Sequence, residues 1–316
     1  MPYETASASS TNDLIDKLRI FALAEGWTID YHGGRTNPGG GAQAGSNNAL
    51  LLHKSGLYAC FYTDTSSNTS TDPTPRIACY TYPGPFVSND GTDLQAGKTA
   101  TSAANALGGP YVAYHFFLSD ATPYLHVVLE VTSGRFAHLG VGVLDKSGGG
   151  TAVAYGYGLR WNWTIPNDYT SMFHNTPWQE GNSSSTSPGG LALRADSDSI
   201  SPRNYELRDA GAARAFGGWL NTGRDLGQQF MRLGPSALTG RTILVPPIVM
   251  VERGSGSFSL AGSPHDLRLV RIDNLAPGEI ITIGADDWKV FPVIRKNGPS
   301  GVENSAAFGY AYRVLA

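Results

Sequence analysis

The stretch that decides the fold runs from Tyr124 to Asp145, YLHVVLEVTSGRFAHLGVGVLD. Two runs rich in β-branched and aromatic residues are separated only by Ser133-Gly134, a tight-turn signal that predicts an antiparallel hairpin. Val127, Leu129 and Val131 alternate with His126, Val128 and Glu130, so the central apolar residues are expected to be buried. A two-residue turn pairs Thr132 with Arg135 and Leu129 with His138, which points His138 away from the face carrying His126 and Glu130. A three-residue turn would set Val128 opposite His138 and bring all three onto one face, but the shorter loop is the commoner.

Working outward, YVAYHFFL (111–118) supplies a neighbouring strand, and ALLLH (49–53), LYACFYT (57–63) and RIACYTY (76–82) form a hairpin-like series upstream. One helix is predicted near the start. Ser10 or Thr11 caps it, Asp13 favours its positive end, and Leu14, Leu18, Phe21 and Ala22 recur at helical spacing. Gly26 stops it, and Trp27 stands where an apolar contact often accompanies such an ending. The helix is expected to pack on a sheet beginning at WTIDY (27–31). Residues 83–110 read as a long loop. Beyond 240, strands return as RTILVPPIVMVE, HDLRLVRIDN, GEIITIG, DDWKVFPVI and FGYAYRVL, with Pro246-Pro247 marking an edge or bend.

The fold class is therefore mainly β with some helix (α+β): an N-terminal helix packed on antiparallel sheets, in β-sandwich-like units with long loops. Three regions are expected: 1–150, helix plus antiparallel β domain; 151–240, an aromatic, loop-rich insertion; and 241–316, a C-terminal β domain.

With 23 Lys+Arg against 26 Asp+Glu, the net charge of -3 is too balanced for the basic field of a nucleic-acid binder. No run approaches the length of a membrane span, and MPYETASASSTND lacks the basic start and apolar core of a signal peptide, so a soluble protein made in a cytoplasm is expected. Cys60 and Cys79 read as reduced core thiols rather than a disulfide framework.

No catalytic, cofactor or metal site is expected. The Walker-like string from Gly91 to Thr99 has five residues between its glycines where a P-loop needs four. Gly140-Val-Gly142 and Gly156-Tyr-Gly158 lack the third glycine of a dinucleotide fingerprint and read as close packing or bends in a sheet. Ser263-Pro-His265-Asp266 reads as a loop start with Asp266 capping or pairing. Glu130, Asp145, Asp168, Glu180, Asp209, Asp286 and Asp287 could supply a glycosidase pair only at a separation that sequence does not define. His115, His126, His138 and Glu130 form the one conceivable metal cluster, and the two-residue turn separates its members.

The aromatic inventory, six Trp, 15 Tyr and 12 Phe, is more suggestive. Trp161 and Trp163 share one face if extended, and with Trp178 and Trp219 they offer a subunit interface or a platform for sugar rings, against the plainer reading as core.

Three segments also resemble virion structural proteins of tailed bacteriophages: the opening helix ending in LAEGWTID, the stretch LHVVLEVTSGRFAHLGVGVLDKSGGG, and the ending WKVFPVIRKNGPSGVENSAAFGYAYRVL. The resemblance implies a non-enzymatic component of the neck (collar), tail or baseplate, made in the host cytoplasm and resident in the virion. It further implies contacts with copies of itself in a ring and with other virion proteins, while the balanced charge and the absence of a span-length apolar run argue against nucleic-acid and membrane partners. The alternative is a receptor-recognition module of a phage tail that binds a host-surface glycan.

Overall fold

In the computed structural model the chain is described over residues 2–34, 48–64, 76–82, 85, 102–104, 109–119, 122–146, 153–158, 160–161, 169–170, 191–195, 203–206, 235, 239–247, 249–254, 257–297 and 307–314. An opening strand, β1 (Tyr3–Ala8), leads into α1 (Thr11–Ala24). Ser10 caps the helix, its hydroxyl accepting from the Asp13 N–H at 3.1 Å. The Asp13 carboxylate in turn accepts from the Ser9 N–H at 2.7 Å. At the far end Gly26 takes φ +75°, Trp27 N–H reaches the Ala22 carbonyl at 3.0 Å, and Gly26 N–H reaches that of Leu23 at 3.1 Å. These two bonds satisfy carbonyls the helix would otherwise leave open, and Trp27 is buried in the same core as Ala22.

Five strands form an antiparallel meander: β2 (Thr28–Gly34), β3 (Asn48–Lys54), β4 (Leu57–Asp64), β5 (Arg76–Tyr82) and β6 (Ser102–Ala104). The short β6 lies inside the stretch expected to be loop. Ser102-Ala103-Ala104 carries no apolar alternation, and only its pairing with Ile77, Ala78 and Cys79 makes it a strand.

The central sheet is built on β7 (Tyr111–Ser119), β8 (Tyr124–Thr132), β9 (Arg135–Asp145) and β10 (Val153–Gly158). A separate two-stranded ladder joins β11 (Arg160–Trp161) to β12 (Tyr169–Thr170). Next come β13 (Leu191–Ala195) and β14 (Arg203–Glu206), which extend the central sheet to the order β1-β7-β8-β9-β10-β13-β14. Strands of the 1–150 and 151–240 regions thus share one sheet. The remaining strands are β15 (Leu244–Val245), β16 (Val249–Gly254), β17 (Ser257–Pro264), β18 (Leu267–Arg271), β19 (Ile280–Ile283), β20 (Asp286–Pro292) and β21 (Phe308–Val314). β17 joins the central sheet through Ser263 opposite Asp145 and Pro264 opposite Leu144. The C-terminal sheet has the order β15-β18-β21-β20-β19. Pro246-Pro247 follows β15 at its edge, where a missing N–H does least harm.

These elements stack in layers, with the central sheet covered on both faces. One face sends Leu125, Val127, Leu129, Ala137, Leu139 and Val141 against Leu14, Leu18 and Phe21 of α1 and against Leu50, Leu52, Phe61 and Ile77 of the meander. The other sends Phe117, Tyr124, Val128, Phe136, Tyr155 and Tyr157 against Leu267, Leu269, Phe291, Tyr310 and Tyr312 of the C-terminal sheet. Cys60 and Cys79 are buried thiols that form no disulfide. They belong to different clusters, because Cys60 pairs with Tyr80 and Phe61 with Cys79, which puts the two thiols on opposite faces.

Candidate functional site

Among the described residues, the largest gathering of chemically active side chains lies between the central and C-terminal sheets, and the hairpin register creates it. The two-residue turn is present: Thr132 pairs with Arg135 across Ser133-Gly134, with Gly134 at φ +73°. The expected pairing of Leu129 with His138 is not. A β-bulge between Glu130 and Thr132 adds one residue to β8, so Leu129 faces Ala137 and Val128 faces His138. His138 therefore shares a face with His126, and β7 contributes His115, also opposite Val128. A bulge has no fixed residue signature, so turn length alone misplaced this histidine.

Gly140 and Gly142 make room for this layer. A Cβ on Gly140 would stand 2.9 Å from the Tyr157 ring and 2.7 Å from the Leu125 carbonyl oxygen. One on Gly142 would stand 2.6 Å from Cζ of Tyr155 and 2.7 Å from Cβ of Tyr124. Bare backbone lets both rings of β10 lie over β9, the close packing that the Gly-Val-Gly string predicts.

β20 crosses the central strands above. Lys289 lies over the Tyr3 ring at 5.2 Å, Phe291 meets the His115 ring at 4.7 Å, and the Pro292 carbonyl reaches His138 Nε2 at 2.9 Å. That carbonyl can only accept, so Nε2 of His138 carries its proton, and Nδ1 accepts from the Tyr312 hydroxyl at 2.8 Å. Tyr312 is hydrogen-bonded to Tyr157, and the Tyr157 hydroxyl meets His126 Nδ1 at 2.5 Å. The result is a continuous run, His138–Tyr312–Tyr157–His126, that crosses the seam. The Tyr155 hydroxyl approaches His126 Nε2 at 3.4 Å. His115 meets the Tyr3 hydroxyl at 2.8 Å through Nδ1.

Burial dominates the electrostatics. It pushes His115 down to about 3, helped by Lys289 and His138. It pushes His126 down to about 3, opposed by the His265 backbone and helped by the rings of His265 and His138. His138 falls to about 4, with the backbone of Pro292 and Val293 opposing. All three are neutral at neutral pH. The same burial raises Tyr124, Tyr155, Tyr157 and Tyr312 far above an ordinary phenol, so they stay protonated.

At one end of the seam the β17–β18 turn carries the Ser263-Pro-His265-Asp266 string. His265 faces carboxylates, not the Ser263 hydroxyl: Nδ1 donates to Asp145 at 2.7 Å, and Nε2 lies 3.2 Å from Asp266. Asp266, buried at φ +53°, also pairs with Arg313 at 3.1 Å and accepts from Tyr124 at 3.2 Å. Arg313 pairs with Asp286 as well. This is the pairing role that the sequence suggests for Asp266, and it clamps the strand that passes from one sheet to the other.

Other candidates are dispersed. Glu130 accepts from the Gly134 N–H at 2.8 Å, and Asp287 accepts from the Thr282 hydroxyl at 2.6 Å. Among the described residues no group of three or more His, Cys, Asp or Glu is arranged to hold a metal ion. Trp161 is described only as a β11 backbone position opposite Tyr169. Trp163, Trp178 and Trp219 lie outside the described residues, as do Asp168, Glu180, Asp209 and the string from Gly91 to Thr99. In comparisons with known proteins, no family matches the chain and neither does any curated protein.

Proposed function

We propose that the chain is a non-enzymatic structural component of a tailed-bacteriophage virion, in the neck, tail or baseplate, assembling with copies of itself in a ring and with other virion proteins. The observation that carries this is the edge strand β19. It ends its sheet, and its sequence, Ile280-Ile281-Thr282-Ile283, holds none of the lysines or prolines that blunt the edges of monomeric sheets. Ile280 and Ile283 are 50% and 44% exposed, which suits a strand meant for contact with another chain. The segments that resemble virion proteins supply α1, the β8–β9 hairpin and β20–β21, the elements that cover the central sheet or form its middle. The histidines and carboxylates that could suggest catalysis are engaged in holding layers and turns together.

Sedimentation of the purified chain and imaging of intact particles test this, with a defined oligomer in the particle expected. Val290 exchanges backbone hydrogen bonds with Gly278 and Glu279, so by alternation the Thr282 N–H points to the open side. Thr282→Pro removes the hydroxyl bond to Asp287 but no backbone donor to β20, so it should keep the β19–β20 ladder and weaken assembly. A monomeric wild-type chain, or one retained on glycan arrays without entering particles, would favour the glycan-binding alternative.

A further inference from the structure

The two covers of the central sheet respond differently to an added proton. Every histidine of the central strands, His115 on β7, His126 on β8 and His138 on β9, faces the C-terminal sheet, and each is at least nine-tenths buried. The opposite face meets α1 and the meander through aliphatic and aromatic side chains, and its buried titratable groups, the Cys79 thiol and the phenols of Tyr111 and Tyr114, are all kept protonated by burial, so acid adds no charge there. Around the three histidines stand Tyr3 of β1, Tyr124 and Glu130 of β8, and Asp145 of β9. Tyr155 and Tyr157 come from β10, and His265 and Asp266 from the β17–β18 turn. Lys289 belongs to β20, and Tyr310 and Tyr312 to β21, while Arg268, Asp286 and Arg313 alternate with the seam-facing residues of their strands, on the face that carries Trp288 and Ala311.

The acids in that shell are engaged elsewhere: Glu130 with Gly134, Asp145 with His265, Asp266 with His265 and Arg313, and Asp286 with Arg313. Among the described residues no carboxylate pairs with any of the three. The charge that bears most on His115 is the like charge of Lys289. A proton added to His138 lands on Nδ1 and turns an acceptor into a donor, facing a Tyr312 hydroxyl that was itself donating. The relay to Tyr157 and His126 then loses its ordering, and the seam gains a buried charge with no counter-ion.

We propose that the contact between the central and C-terminal sheets is an acid-sensitive latch: protonation of His115, His126 and His138 releases β18–β21 from the central sheet while α1 and the meander stay docked. The β17–β18 turn, held by Asp266 and Arg313, is the tether about which release occurs. The latch does not depend on the virion reading, since it is a property of the single chain.

Segment-resolved hydrogen exchange on the full chain, stepped from about pH 7.5 down to about pH 4 with intrinsic rates corrected, tests it. Protection in β18, β20 and β21 should be lost at a higher pH than protection in α1, β3 and β4. Loss in all layers at one pH, or seam protection persisting to the lowest pH, overturns it. His115→Phe, which keeps the stacking on Phe291, should move the seam transition down by roughly half a pH unit, as expected when one of three cooperating protonations is removed. His126→Gln should do the same. An unshifted transition in the variants that fold, with His115→Phe the less disruptive, assigns the release to other groups and overturns the histidine latch.

Discussion

The central sheet meets α1 and the meander across one face and the C-terminal sheet across the other, and the two contacts are made of different material. The first is a mainly apolar interdigitation of Leu, Val, Ile, Phe and Ala with Tyr111 and Tyr114, where Cys79 Sγ approaches the Gly140 and Tyr157 carbonyls at 3.4 Å. The second mixes large rings with hydrogen bonds of fixed direction. Apolar packing tolerates small slides and rotations, because area removed from water has no direction. A run such as His138–Tyr312–Tyr157–His126 forms in one register only, so it sets where β20 and β21 sit across the central strands. The difference teaches that one contact supplies strength without specifying position, and the other specifies position while remaining exposed to solution chemistry.

Acid should give the largest effect. The histidines titrate near 6.5 when unfolded, and the folded values are depressed to about 3 for His115 and His126 and about 4 for His138. Below 6.5 the unfolded chain binds protons that the folded chain refuses, so stability is full above that value, falls as pH drops towards 4, and levels off below the folded values. The loss should reach about 3 kcal/mol or more per histidine across that window. Urea unfolding at about pH 7.5 and about pH 5 measures it, and equal midpoints would erase the contrast.

Leu129→Ala should come next. It opens a cavity in the mainly apolar contact and should lower stability by about 3 kcal/mol, by the same amount at both pH values. A pH-dependent loss would mean that the two faces are coupled rather than separate.

Gly140→Ala probes the seam from below. The methyl group must displace the Tyr157 ring or the Leu125 carbonyl, at a cost of about 2 kcal/mol. The displacement should also perturb the His126–Tyr157 bond, visible as a changed histidine titration by NMR. A stability loss without that spectroscopic change would detach the glycine from the relay.

Ser10→Ala is the smallest, about 1 kcal/mol for the lost bond to Asp13. It touches only α1, so its effect should be independent of pH. Thermal unfolding at two pH values settles it.

Legibility in the sequence followed how local each signal is. The helix, its Ser10 cap and its Gly26-Trp27 ending involve contacts within a few residues, and all were predictable. So was the Ser133-Gly134 turn. β1 was not: Tyr3–Ala8 reads as YETASA, with no apolar alternation, and it becomes a strand only by pairing with Tyr111–Phe117. The seam was half legible. Its histidines were visible as a group, but the extra residue in β8 that turns His138 toward His126 is fixed by tertiary pairing, and the partners Tyr310 and Tyr312 arrive from a distant segment. The glycines of Gly140-Val-Gly142 announced a close approach without naming the rings that make it.

The far-apart pairings also bear on the order in which the molecule can be made. Tyr3 meets His115 across a separation of 112 residues, and His138 meets Tyr312 across 174. During synthesis from the N-terminus, α1, the meander and the first face of the central sheet can consolidate while the last strands are still unmade. Until β20 and β21 emerge, the nascent sheet displays Phe117, Tyr124, Phe136, Tyr155 and Tyr157 uncovered. Closing contacts of such long range is slow, so this sticky half-molecule persists. The interval before β20 and β21 emerge should therefore carry the greatest aggregation risk, and a truncation before β20 should be insoluble even though most of its chain has already found its place.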